Sequence, residues 1–112
     1  MAAMSTVLTE FSTIGNSHTS TLSGHTAVKP KIVIQKRRVP ENGQVMSEYS
    51  CKVIYATADA NDVILSNKVS FEAVVRYPQA GDAADVTAAL AVFRDIIAGN
   101  EFGASVPTLN WL

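Results

Sequence analysis

The sequence holds a single cysteine, Cys51, so no disulfide can close within the chain and a small disulfide-stapled secreted domain is excluded. Its two histidines, His18 and His25, stand seven positions apart in Ser/Thr-rich surroundings, without the spacing of a metal site. Both read as surface histidines, and no metal or cofactor is expected. No Gly-rich phosphate loop follows a strand, and no Ser-His-Asp pattern stands out, so no catalytic residue is assigned and an enzyme is disfavoured. No apolar run approaches the ~18 residues of a membrane span, so no membrane partner is expected. The start MAAMSTVLTEF lacks a positive region and a continuous apolar core, which predicts no signal peptide and an intracellular origin.

Lys and Arg are absent before Lys29, and the rest of the charge is segregated. Residues 29–77 carry eight bases and five acids; residues 78–112 carry Arg94 alone against four acids. Strand region and helix region thus have opposite sign, as in a two-faced platform rather than a uniformly basic nucleic-acid binder. The length, 112 residues, predicts one domain over 1–112 with a modest core, to which an oligomer interface would add stability.

Eleven of the twenty-two residues from Ser5 to Thr26 are Ser or Thr, but Val7, Leu8, Phe11 and Ile14 are too many large apolar groups for a disordered tail. With Gly15-Asn16 as a turn, the segment 5–23 reads as a hairpin, with strands near Thr6–Ile14 and Ser17–Ser23. An antiparallel sheet follows over 29–77. Lys29–Val39 and Gln44–Thr57 form a second hairpin about the turn Pro40-Glu41-Asn42-Gly43. Val63–Leu65 is a candidate short strand, and Asn67–Tyr77 is the clearest strand of all. The segment 82–98 is the one long helix: Asp82 is its candidate N-cap and Gly99 its C′ stop. In the tail 99–112, one short helical turn is expected near Ala104 or after Pro107.

The two-residue alternation of the strands predicts one apolar and one polar sheet face. Ile32 and Ile34 would pack with Tyr49, Cys51, Val53 and Tyr55 on the apolar side. Lys31, Gln35, Arg37, Ser50, Lys52, Lys68, Ser70, Glu72 and Arg76 would share the polar side, where Lys and Arg among Ser and Gln can meet phosphates and base edges. On the helix, Val86, Ala89, Leu90, Phe93 and Ile97 form an apolar stripe with Ile96, while Ala88 and Ala91 leave room for a second helix. Cys51 reads as a small hydrophobe. The fold class is α+β: an N-terminal hairpin and antiparallel sheet, then a long helix and a short second one.

This order resembles the coat proteins of single-stranded RNA bacteriophages, the leviviruses. The resemblance is carried by Tyr49-Ser50-Cys51-Lys52-Val53, by Ser70-Phe71-Glu72-Ala73-Val74, and by the helix from Asp85-Val86 to Ile97-Ala98-Gly99. It implies an intertwined homodimer with a continuous sheet. Its dimers build an icosahedral shell, helices outside and sheet toward the packaged RNA, and an RNA hairpin bound on the sheet acts in translational repression. Localisation would be the virion, assembled in the bacterial cytoplasm. By position, Ser50 and Lys52 match a Thr and a Lys on the RNA-facing strand, Ser70 and Glu72 an Asn and a Glu on the last strand, and Arg37 a basic residue before the hairpin turn. Lys68 stands where some members stack a tyrosine on a base, and Ile54 where a polar residue is expected. The alternatives are a non-viral dimeric RNA- or protein-binding module and a small α+β enzyme using a sheet-face carboxylate such as Glu72.

Overall fold

The computed structural model of the chain describes residues 3–39 and 46–112. Two compact units result, one ending at Arg76 and one beginning at Tyr77.

The first unit is built on a five-stranded sheet of simple order: β1 (Thr9–Ile14), β2 (Ser17–Thr21), β3 (Lys31–Arg38), β4 (Met46–Tyr55) and β5 (Val69–Pro78), each beside its neighbour in sequence. The pairings β1–β2, β2–β3 and β3–β4 are antiparallel. The hairpin expected over 5–23 is present with shorter strands. It turns at Gly15, whose φ of +58° is the left-handed value a glycine adopts without cost. A bulge between Glu10 and Ser12 interrupts β1, so Phe11 has no cross-strand partner. The expected turn Pro40–Gly43, with Gln44 and Val45, lies outside the described residues.

Between β2 and β3 the chain is tied back on itself. Leu22 N–H donates to the Lys31 carbonyl at 2.9 Å, and Lys31 N–H donates to His25 Nδ1 at 3.0 Å. His25 is therefore a structural acceptor, half-buried rather than on the surface as its polar surroundings predict; His18 is half-buried too. The candidate strand Val63–Leu65 is reduced to one bridge, Ala58 to Ile64. Asp59 organises that loop: its Oδ1 accepts from Asn61 N–H at 2.8 Å and Val63 N–H at 3.0 Å, so the backbone turns instead of pairing.

The second unit holds α1 (Ala83–Ala98) and α2 (Asn100–Thr108), which touch each other. Asp82 caps α1 as expected, its carboxylate accepting from Ala84 N–H at 2.9 Å. Asp82→Ala should lower the unfolding free energy by about 1 kcal/mol. A urea titration, with the cap-retaining Asp82→Asn as control, measures it. Gly99 does end α1, but in extended geometry (φ −72°, ψ 153°) rather than left-handed, so α2 follows at once. α2 is longer than the single turn expected. Ser105 and Thr108 hydroxyls bond the carbonyls four residues back, and Pro107, whose missing N–H weighs against a helix, stands in the last turn.

Candidate nucleic-acid interface and subunit interface

Residues directly opposite one another in an antiparallel pair project to the same side of the sheet. In β3–β4, Ile32 opposes Ile54, Ile34 opposes Lys52, Lys36 opposes Ser50 and Arg38 opposes Glu48. The other set is Lys31 with Tyr55, Val33 with Val53, Gln35 with Cys51 and Arg37 with Tyr49. Odd residues therefore share one face and even residues the other. This corrects the facing read from the sequence: Lys31, Gln35 and Arg37 lie opposite to Ser50 and Lys52, and Ile32 and Ile34 lie on the side of Lys52 rather than with the tyrosines. A register displaced by one residue exchanges the faces of a whole strand.

The even face is the basic one. Lys36, Arg38 and Lys52 project there, with Ser17 and Thr19 of β2 opposite Lys36 and Ile34. Arg76 Nε lies 3.4 Å from Glu48 Oε2, which puts Arg76 on this face, and alternation brings Ser70, Glu72 and Val74 with it. That pair is solvent-exposed and contributes at most about 1 kcal/mol, but it draws one guanidinium into local neutralisation. Lys68 stands one residue ahead of β5. Six of the nine expected nucleic-acid residues thus group together (Ser50, Lys52, Ser70, Glu72 and Arg76 by strand geometry, Lys68 by continuation), and three do not. Lys36 and Arg38, which the sequence reading did not include, project from this face; the parity of the β3–β4 register is what places them there.

The odd face is apolar with polar margins. Val33 is only 4% exposed and its cross-strand partner Ser20 2%, and Leu22, which lies opposite Lys31, is buried on the same face. Beyond them Tyr49, Tyr55, Val69 and Phe71 remain exposed, Phe71 to 49%. Lys31 Nζ sits 5.3 Å from the Tyr55 ring centroid, a cation–π contact between strand partners. Cys51 is half-buried, and burial pushes its thiol up from the ordinary value; burial first, and then the neighbouring Cys51, raises the Tyr49 phenol. A protonated Cys51 is a poor nucleophile, as expected of a packing residue. Beside the β1–β2 turn lies a recess of about 280 Å³, lined among others by Asn16, His18, Gln35, Arg37 and Tyr49, and by Lys36 of the other parity.

Neither helix has a buried residue. On α1 the expected stripe is real in sequence and open in structure: Leu90, Phe93, Ile96 and Ile97 are each more than 40% exposed, Val86 is half-buried and Ala89 exposed. Leu109, Trp111 and Leu112 of the tail are more open still. No helix among the described residues is long and apolar enough to cross a membrane.

No protein-family model and no curated protein matches the sequence. Solved structures do match the fold. A chain in the virus-like particle of Wenzhou levi-like virus 4 aligns with a TM-score of 0.79 over 93% of this chain and 75% of its own length, at 14% identity. One in the virus-like particle of bacteriophage GQ-907 aligns at 0.76 over 100% and 88%, with 12% identity. One in the virus-like particle of bacteriophage AC aligns at 0.71 over 95% and 97%, with 18% identity. With its five-stranded antiparallel sheet followed by two C-terminal helices, the chain has the levivirus coat-protein fold.

Proposed function

We propose that the chain is the capsid protein of a single-stranded RNA bacteriophage, acting as one functional unit over 1–112 with a structural, non-catalytic role in the virion. The observation that carries this reading is the alignment of nearly the whole chain with subunits of virus-like particles. The working unit is a homodimer. Two unsatisfied apolar surfaces support it: the α1 stripe of Val86, Ala89, Leu90, Phe93 and Ile97, and the odd sheet face with Tyr49, Tyr55 and Phe71. A lone chain leaves both in water, and covering the exposed half of each large side chain would add about 1 kcal/mol apiece. In the dimer the stripe of one copy lies over the odd face of the other, the helices cross between subunits and the sheet runs on through both.

The even face then looks toward the RNA. Lys36, Arg38, Lys52 and Lys68 supply phosphate contacts, and Ser50, Ser70 and Glu72 polar contacts to sugar and base edges. Without an aromatic at Lys68, base stacking is not its role there. The same face is the seat for an RNA hairpin if the protein also represses translation. Expression in bacteria followed by electron microscopy tests the proposal. Regular particles carrying nuclease-protected RNA are expected; soluble dimers that never assemble would overturn the capsid reading in favour of a non-viral binding module.

A further inference from the structure

Arg37 projects from the side of the sheet away from Lys52, and with Lys36 beside it lines a recess next to the β1–β2 turn. We infer that this recess is a carboxylate seat at the subunit interface, occupied by Asp85 of a second copy of the chain. The inference rests on the proposed dimer and names a contact within it.

The recess is built for an acid. Its lining brings together the guanidinium of Arg37, the amides of Gln35 and Asn16, the imidazole of His18 and the phenol of Tyr49. No carboxylate is among its described lining residues. Arg37 is positioned rather than loose: its backbone N–H donates to the Asn16 carbonyl at 3.0 Å and its Nε to Asn16 Oδ1 at 3.2 Å. The β1–β2 turn thereby holds the guanidinium by one edge, and the terminal nitrogens keep the fork that takes a carboxylate bidentately. Thr13 Oγ1 donates to Glu10 Oε1 at 3.2 Å and is joined to His18 Nδ1, which orients the imidazole at the margin of the recess.

The charge pattern names the occupant. Residues 78–112 carry four acids against one base, and the strand region is its basic complement. The four acids are Asp82, Asp85 and Asp95 about α1 and Glu101 on α2. Asp82 already spends its side chain on the cap. At 100° per residue, Asp95 falls on the side of α1 opposite Val86, and Glu101 stands on α2, off the stripe. Asp85 is adjacent to Val86 and falls on the flank of the stripe that holds Ala89 and Ile96. When the stripe lies on the odd face, that flank carries its carboxylate to the polar margin where Arg37 stands. Such a pair adds register and orientation to an otherwise greasy contact.

Charge reversal by halves tests this. Arg37→Glu and Asp85→Arg, each alone, should raise the dimer dissociation constant at least about tenfold. Co-expressed under two tags, the two variants should restore a mixed dimer. There the introduced carboxylate of one copy meets the introduced guanidinium of the other, and the native Arg37 of the second copy meets the native Asp85 of the first. If Arg37→Glu dimerises like the parent chain, or if mixing restores nothing, the seat is refuted. Loss of RNA from intact particles on Arg37→Glu would assign the recess to phosphate and refute it as well. Should either reversal fail to fold, Arg37→Gln and Asp85→Asn form a cycle: non-additive losses support the pair and additive losses overturn it. A parent chain that forms no dimer removes the proposed function and this inference together, whereas parent particles with inert variants remove this inference alone.

Discussion

Phe93→Asp is expected to leave the chain folded but without dimer or particle. In the single chain, Phe93 is 43% exposed and α1 has no buried residue, so a carboxylate there can stay hydrated. In the proposed dimer the same position lies against the apolar sheet face of the partner. An unpaired charge held in such surroundings costs several kcal/mol, more than Phe93 contributes as a hydrophobe. Circular dichroism checks that helix and sheet content survive, and sedimentation equilibrium reads the dimer. Ala91→Asp, on the far side of α1, is the control. If Phe93→Asp sediments as the parent dimer, the stripe is not an interface. If Ala91→Asp alone abolishes the dimer, the small residues Ala88 and Ala91 form the side that meets a partner.

The stripe is legible in the sequence because a helix repeats every 3.6 residues and Val86, Leu90, Phe93 and Ile97 obey that period without exception. The capped start at Asp82 is legible for a similar reason: a short side-chain acceptor ahead of an apolar periodic run has one common use. The facing of β3 is not. Its apolar residues, Ile32, Val33 and Ile34, are consecutive, so either parity offers a hydrophobic residue to the core and alternation alone selects neither. Matching Ile32 and Ile34 to the greasy residues of β4 is the natural choice. The register instead buries Val33 and sends both isoleucines to the side of Lys52. That one parity decides which bases can act together, exchanging Lys31 and Arg37 for Lys36 and Arg38.

α2 escapes sequence reading for a different reason. Gly103 and Pro107 argue against a helix by propensity, but nine residues need few internal bonds, and the hydroxyls of Ser105 and Thr108 satisfy two carbonyls locally. The Asp59 loop shows the reverse. Val63, Ile64 and Leu65 have strand composition, but Asp59 captures two backbone N–H groups that a ladder would require.

Lys36→Ala combined with Lys52→Ala should weaken RNA binding and lower the slope of log K against log salt by about 1.4, since each lost phosphate contact on a single strand removes about 0.7. Within the β2–β3 and β3–β4 pairs no acid opposes these two bases: Lys36 faces Ser17 and Ser50, and Lys52 faces Ile34. Arg38 and Arg76, by contrast, both neighbour Glu48, opposite the first and paired to the second. Lys31→Ala supplies the comparison. It removes the same charge from the same sheet but from the odd face, where Lys31 lies over the Tyr55 ring. Net charge falls equally per substitution, so a general electrostatic effect would lower the slope for either variant, whereas a surface contact lowers it only for the face that touches RNA. Filter binding of single-stranded RNA at several salt concentrations, at protein levels that keep the dimer intact, separates the two. A slope unchanged in the double variant and reduced by Lys31→Ala would turn the sheet over, placing the tyrosine face toward RNA and the basic face toward protein.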